Sequence, residues 1–74
     1  MTRLPRNIKA KRLIHALNKC GFFEVGRRGS HVRLAHDDGR WTQVAVHTKP
    51  IPTGTLRAIL RQTELSIEEI QKYL

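Results

Sequence analysis

The chain has 74 residues and a mass of 8.5 kDa. A chain of this size buries only about 60% of the surface that its unfolded form exposes, which excludes a large enzyme with a deep substrate cavity. Lys and Arg number 14 against 6 Asp and Glu, so the formal net charge is +8. This positive charge on a small surface indicates a polyanionic partner, with nucleic acid favoured over a membrane surface.

The single cysteine, Cys20, excludes an internal disulfide and a four-thiolate zinc site, and it fits a reducing cytoplasm. The longest uninterrupted apolar runs have three residues, whereas a membrane-spanning helix needs about 20. No apolar segment follows the first residues either. We therefore expect one cytoplasmic domain over residues 1–74, without a membrane anchor or a secretory leader.

Apolar residues at helical spacing predict a first helix from about residue 8 to residue 20. They form one stripe, made by Ala10, Leu13, Ile14 and Leu17. Gly21 follows the stripe and is expected to end the helix in the left-handed conformation. The other faces of the helix carry basic side chains, which either form a solvated face or contact phosphate: Lys9, Lys11, Arg12 and Lys19.

After residue 22 the apolar period changes to two, which predicts three short strands. Their alternating residues are Phe23 and Val25, then Val32 and Leu34, then Val44 and Val46. Residues 37–39 fit a three-residue hairpin loop with Gly39 at positive φ. This loop sets a register in which the numbers of paired residues sum to 76. Val32 then faces Val44 on the buried side, and His31 lies on the other side.

Two further helices complete the predicted fold. One is expected from about residue 54 to residue 62, after a proline-containing loop. Ser66 and Glu69 have the spacing of a capping box, which predicts a short third helix. The order α-β-β-β-α-α indicates an α+β fold with a three-stranded antiparallel sheet and its helices on one face. The face that carries His31 is expected to stay open to a partner.

His31 is the leading candidate for chemistry, because strand alternation places it outside the core. The ordinary pKa of an imidazole is about 6.5, so this group can take or give a proton at cellular pH. RNA supplies its own nucleophile, the 2′-hydroxyl, so a small protein needs only a proton-transfer group and cations that stabilise the phosphorane. Those cations are expected to be Arg27, Arg28 and Arg33. On these residues alone, a plain surface role remains the alternative for His31.

Two more residues are candidates near this face. His47 follows the third strand next to Ser30, so it either approaches the same site or only packs in its loop. Trp41 lies on the open face in this register, where it either covers the edge of the core or contacts a base or a protein partner. Neither a metal nor another cofactor is expected, because the aspartates of residues 37–38 belong to a turn.

Two motifs make the chain resemble the HicA toxins of bacterial and archaeal toxin-antitoxin pairs. The first is the run from Arg27 to Val32 with its Gly-Ser-His triplet, and the second is the run from Gly54 to Gln62, which begins Gly-Thr-Leu-Arg. The resemblance implies a fold like that of double-stranded RNA-binding domains and activity as a metal-independent mRNA interferase. It also implies a HicB antitoxin that covers the active face.

By the same resemblance, His31 is the catalytic histidine, Gly29 and Ser30 shape its strand, and His47 is the second recurrent histidine. The substrate is then mRNA. The residues expected to bind it are the basic ones near these positions and on the first helix, namely Lys9, Lys11, Arg27, Arg28 and Arg33. An acidic antitoxin is expected to contact Trp41, which offers an apolar anchor on a cationic surface.

Two other functions fit parts of the sequence. A binding-only double-stranded RNA module shares the architecture, but it normally has a lysine cluster at the start of its last helix, where residues 53–56 read Thr-Gly-Thr-Leu. A helix-turn-helix DNA-binding protein would use residues 54–74, but Glu68 and Glu69 on its recognition helix would repel phosphate. RNA cleavage is the leading hypothesis.

Overall fold

A computed structural model describes residues 4–74 of the chain. Its elements are α1 (Ala10–Lys19), β1 (Phe23–Arg28), β2 (His31–Ala35), β3 (Trp41–Ala45), α2 (Thr53–Thr63) and α3 (Ile67–Gln71). The strands form one antiparallel sheet in the order β1-β2-β3. The predicted order of elements is confirmed, and the architecture is the α+β arrangement of double-stranded RNA-binding domains.

Helix α1 buries three residues of the predicted apolar stripe, since Ala10, Leu13 and Leu17 are at most 1% exposed, whereas Ile14 is partly buried against the core. The helix begins two residues later than predicted. Ile8 precedes it in the chain, and the carbonyl of Ile8 accepts a hydrogen bond of 2.8 Å from the backbone N–H of Ile51. This bond ties the segment before α1 to the loop before α2 and keeps Ile8 out of the helical ladder.

Gly21 ends α1 as predicted, with φ of +94°. The backbone N–H of Gly21 donates to the carbonyl of Asn18 (3.1 Å), and that of Phe22 donates to the carbonyl of Leu17 (2.9 Å). This pair of bonds is the Schellman motif of helix C-termini. A Cβ at Gly21 would lie 2.8 Å from Nε2 of His36. Both the backbone conformation and the packing therefore require glycine here.

The register between β2 and β3 is the predicted one, because the numbers of paired residues sum to 76 and His31 lies opposite Ala45. Residues 37–39 close the hairpin, with Gly39 at φ of +98°. Beyond the strand ends, the backbone N–H of Val46 donates to the carbonyl of Ser30 at 2.7 Å. This register fixes which side chains share each face of the sheet.

The helices cover one face of the sheet, as predicted. Val32, Leu34 and Val44 on that face are at most 1% exposed, and they pack with Leu13, Leu17, Phe22, Leu56, Ile59 and Ile70. None of the helices formed by residues 4–74 covers the opposite face, and His31 and Trp41 are exposed there. We call it the open face, and its strand residues by register are Phe23, Gly26, Arg28, His31, Arg33, Ala35, Trp41, Gln43 and Ala45.

Helix α2 extends one residue beyond the prediction at each end, and Glu64 follows it in the left-handed conformation with φ of 57°. The capping box of α3 is present as predicted. The backbone N–H of Glu69 donates to Oγ of Ser66 (3.1 Å), and the backbone N–H of Ser66 donates to Oε1 of Glu69 (3.0 Å). Within residues 4–74 no helix has the length and apolar character that crossing a membrane requires.

Candidate active site

His31 is the first residue of β2, and its side chain is exposed on the open face. The strand alternates strictly, because Val32 and Leu34 are fully buried on the other side. Across the sheet, His31 lies between Arg28 of β1 and Ala45 of β3. The sequence-based placement of His31 outside the core is therefore confirmed.

A two-residue turn joins β1 to β2 immediately before His31. Arg28 pairs with His31, so only Gly29 and Ser30 lie between the two strands. Gly29 has φ of +60°, and glycine at positive φ in the first turn position is typical of a type II′ hairpin turn. The Gly-Ser-His triplet thus has a structural basis: the first two residues reverse the chain, and the third begins the strand on the open face.

His31 lines an open concavity of about 390 Å³ that is rich in arginine. We call it the cationic concavity, and its residues are Val25, Gly26, Arg27, Arg28, His31, Arg33 and Gln43. The structure brings together the three arginines that the sequence places near His31. A phosphate in this concavity would meet several guanidinium groups, which hydrogen-bond phosphate oxygens in a fixed geometry.

The three arginines differ in their surroundings. Arg27 forms an exposed ion pair with Glu24, with an N–O distance of 3.4 Å, and such surface pairs are weak and easily exchanged. The guanidinium carbon of Arg33 lies 4.6 Å from the ring centroid of Trp41, in a cation–π contact. Arg28 is the one that pairs directly with His31 in the sheet.

His31 also lines a second depression, which the sequence pattern does not predict. We call it the β3–α2 groove; it has a volume of about 430 Å³ and lies between the open face of β3 and one side of α2. Its residues are His31, Trp41, Gln43, Ala45, Thr55, Ala58, Ile59 and Gln62. The spacing of Thr55, Ala58 and Gln62 along a helix indicates one face, but only the packing of α2 against β3 shows that this face borders His31.

Trp41 is half exposed (50%) on the open face, in the row that contains Ala35 and Phe23. Phe23 and Val25 of β1 are also exposed, at 59% and 62%. The period-two pattern of β1 therefore presents its apolar residues to solvent rather than to the core. One end of the open face is aromatic and apolar, whereas the end with Arg28 and His31 is cationic.

His47 lies in a different concavity from His31. It lines an opening of about 450 Å³ together with Lys9, Lys11 and Arg12 of the first helical region and with Val46 and Thr48. The structure thus groups His47 with Lys9 and Lys11, two of the basic residues predicted to bind RNA. The two concavities that His31 lines contain neither His47 nor these lysines.

Three other titratable side chains, those of His36, Asp38 and Cys20, interact with neighbouring parts of the fold. The ring of His36 packs edge-on against Phe22, with centroids 5.2 Å apart. The pKa of Asp38 lies below its usual value, because the backbone N–H of Arg40 donates to the carboxylate and the Arg40 side chain adds to the effect. Burial raises the pKa of the Cys20 thiol, which disfavours its use as a nucleophile. Across residues 4–74, no group of three or more His, Cys, Asp or Glu is placed to hold a metal ion.

These features define a small basic protein of the double-stranded RNA-binding architecture, with a histidine and arginines on the uncovered side of its sheet. The model of the family described as HicA toxin of bacterial toxin-antitoxin matches residues 10–65, from the start of α1 to just beyond α2. The chain therefore belongs to the HicA toxin family of toxin-antitoxin systems, as its motifs predict. Among curated proteins the comparison finds no match.

Proposed function

We propose that residues 1–74 form a single cytoplasmic domain that acts as the toxin of a type II toxin-antitoxin pair. Its activity is metal-independent endoribonucleolytic cleavage of mRNA, with His31 as the proton-transfer group. The observation that supports this proposal best is the position of His31. It is exposed on the open face and lines the cationic concavity with Arg27, Arg28 and Arg33.

The proposed reaction needs no external nucleophile. The 2′-oxygen of a ribose attacks the adjacent phosphorus while its proton passes to the imidazole of His31. The bond from phosphorus to the 5′-oxygen then breaks, and that oxygen takes the proton from the imidazolium of His31, which returns to its neutral form. The products are a 2′,3′-cyclic phosphate and a 5′-hydroxyl. Arg28 and Arg33 stabilise the additional negative charge of the phosphorane, because hydrogen bonds from guanidinium groups to phosphate oxygens become stronger as the charge on those oxygens grows.

The proposed RNA contacts extend beyond the cleavage site. Lys9 and Lys11 line the concavity that contains His47, so an RNA strand leaving the open face would meet a second set of positive charges there. We assign His47 to phosphate binding in this concavity or to support of the active site. Gly29 and Ser30 support the site through the turn that positions His31.

The proposed antitoxin is a HicB protein that covers the open face. Residues 1–62 contain 13 basic and 3 acidic side chains, a net charge of +10 that attracts an acidic partner. Trp41 is half exposed on this face, and exposed tryptophans are frequent anchors of protein interfaces. An antitoxin bound there would exclude RNA from His31 by occupying the same surface.

The structure weakens the DNA-binding alternative further. Helix α3 has only five residues, and both of its acidic residues, Glu68 and Glu69, lie in its first turn. A recognition helix places its N-terminal residues in the major groove, where these carboxylates would meet phosphate repulsion. The double-stranded RNA-binding alternative shares the observed fold, and it differs from the proposal in predicting RNA binding without RNA cleavage.

We expect the purified protein to cut single-stranded RNA in the presence of EDTA and to leave 2′,3′-cyclic phosphate ends. The ends can be identified by mass spectrometry of the products of a short synthetic RNA. The matched control is the same RNA with a single 2′-deoxy substitution at the cut position, which removes the nucleophile and should stop cleavage there. Binding to duplex RNA without cleavage of any RNA would contradict the proposal and support the binding-only module.

A further inference from the structure

The β3–α2 groove adjoins His31 but differs chemically from the cationic concavity on its other side. Among residues 4–74, its lining contains no lysine, arginine, aspartate or glutamate, and His31 is the one titratable residue there. Three arginines of the described residues line the cationic concavity. His31 and Gln43 line both depressions, so they stand at the boundary between a charged and an uncharged surface.

This division matches the two chemically different parts of a nucleotide. Phosphates carry the negative charge and suit the arginines, whereas a base is a flat, uncharged ring with hydrogen-bonding edges. We propose that the β3–α2 groove binds a nucleobase of single-stranded RNA next to the cleaved phosphate, and that Gln43 and Gln62 select that base. This inference rests on the proposed function, because it names the substrate class of the same site.

Trp41 supplies the aromatic wall of the groove. Base stacking on an aromatic side chain contributes about 1–3 kcal/mol per base in single-strand binding proteins. Arg33 lines the cationic concavity but not the groove, and its guanidinium lies over the Trp41 ring. The Arg33–Trp41 pair therefore joins the two depressions, since Arg33 lines one and Trp41 lines the other.

Gln62 is held in one orientation. The hydroxyl of Thr42, which is fully buried, donates a 2.7 Å hydrogen bond to Oε1 of Gln62. The carbonyl end of this amide is thus engaged, and its N–H₂ group is left to donate. Gln43 forms no side-chain hydrogen bond within the described part of the chain, so its amide can turn to suit a ligand. A fixed donor beside an adaptable amide favours a base edge that presents an acceptor.

The dimensions and the chemistry both favour unpaired RNA. Trp41 and Ala45 are four residues apart on β3, which corresponds to roughly 13 Å along a strand. The groove therefore reaches only the nucleotides beside the cleaved bond. In a duplex the bases are paired and stacked on one another, and their edges and faces are not free to enter such a groove. Cleavage should therefore require that the nucleotide next to the cut is unpaired.

The first test compares cleavage of a randomised single-stranded RNA pool by the wild type, Gln43→Ala and Gln62→Glu. The Gln62→Glu change keeps an acceptor for Thr42 but replaces the amide donor with a second acceptor. We expect each variant still to cut, with the base preference at one position beside the cut changed roughly threefold to tenfold, as for one hydrogen bond. The matched control is Gln71→Ala, an exposed glutamine on α3, which should leave the preference unchanged. An unchanged preference in both groove variants would overturn the inference.

The second test does not depend on cleavage. Trp41 is the only tryptophan of the chain, so its fluorescence reports on the groove. With His31→Ala protein, a short oligoribonucleotide should quench this fluorescence, and an abasic sugar-phosphate chain of equal length and charge should not. Equal responses to both would overturn the inference even if the wild type cuts RNA.

The two proposals fail separately. Base-dependent quenching without RNA cleavage by the wild type would support the groove and contradict the proposed nuclease. RNA cleavage by the wild type, with equal fluorescence responses to both chains and an unchanged base preference in the groove variants, would support the nuclease and contradict the groove. If Gln43→Ala and Trp41→Ala weaken antitoxin binding but leave base preference and RNA affinity unchanged, the groove belongs to the protein partner and the inference is wrong.

Discussion

At the level of single residues, the position of His31 follows from two local constraints. The turn of Gly29 and Ser30 brings the chain back beside β1, and the burial of Val32 and Leu34 fixes the opposite side of the strand. A one-residue slip would place His31 in the core and expose the apolar pair, at a large loss of apolar burial. The sequence pattern was sufficient to predict this placement, because period-two alternation depends only on neighbouring residues.

Arg28 is the arginine that pairs with His31 in the sheet, and its role in phosphate binding can be tested by salt dependence. Arg28→Ala should weaken binding of a non-cleavable RNA and lower the slope of log affinity against log salt by about 0.7–1, the value for one lost phosphate contact. The measurement is a filter-binding or anisotropy titration at several salt concentrations.

Arg61→Ala is the matched control for Arg28→Ala. This variant removes the same charge from an exposed position on α2, and Arg61 lines neither depression at His31. We expect a smaller effect on both affinity and slope. Equal slopes for wild type and Arg28→Ala would remove Arg28 from the phosphate contacts.

At the level of elements, the end of α1 and the β2–β3 hairpin depend on each other. The Schellman turn at Gly21 leaves room for the ring of His36, which packs on Phe22. The hairpin loop is also tied to α2, because the Arg40 side chain donates both to Asp38 and to the carbonyl of Thr63. These contacts join elements that are distant in sequence.

A series of three glycine substitutions separates backbone strain from this packing. Gly21→Ala should destabilise the fold most, because it combines strain at positive φ, about 1–3 kcal/mol, with a Cβ only 2.8 Å from His36. Gly39→Ala has a similar φ but open space around its Cβ, so it should incur the strain alone. Gly54→Ala in the first turn of α2 should be neutral or stabilising. Urea unfolding measures all three.

An equal loss of unfolding free energy in Gly21→Ala and Gly39→Ala would mean that the His36 ring moves aside at no energetic cost. The contact between α1 and the hairpin would then be looser than the structure indicates.

The hairpin loop also predicts a dependence on pH. Because the pKa of Asp38 is lowered by Arg40, its carboxylate stabilises the fold above the unfolded-state pKa of about 3.9, and this contribution is lost as the pH falls through the lower folded-state value. Asp38→Asn should therefore be less stable than the wild type at pH 7, with a smaller difference at pH 3, as measured by urea unfolding.

Asp37→Asn is the control for this comparison, because it makes the same change of charge without removing the contacts to Arg40. If Asp38→Asn loses the same unfolding free energy at pH 3 and at pH 7, the Asp38 carboxylate makes no ionic contribution to stability.

On the scale of the whole molecule, the positive charge is concentrated in residues 1–62, which also contain the strands of the open face. Residues 63–74 carry one lysine and three glutamates. The order of elements, the covered face and the β2–β3 register could be predicted from the sequence, since each depends on local periodicity or on a turn. The β3–α2 groove could not, because it depends on how α2 packs against β3 through contacts such as Thr42 to Gln62. The grouping of His47 with Lys9 and Lys11 is likewise a product of tertiary packing.

Proton transfer by His31 during cleavage can be measured by single-turnover kinetics, which separate the chemical step from RNA binding. His31→Ala should bind single-stranded RNA with nearly normal affinity and salt slope, but its cleavage rate should fall by about 10²–10⁴, the contribution of a general acid or base. His15→Ala, which removes an exposed histidine from α1, should cut at the wild-type rate. Undiminished cleavage by His31→Ala would show that this imidazole does not transfer the proton.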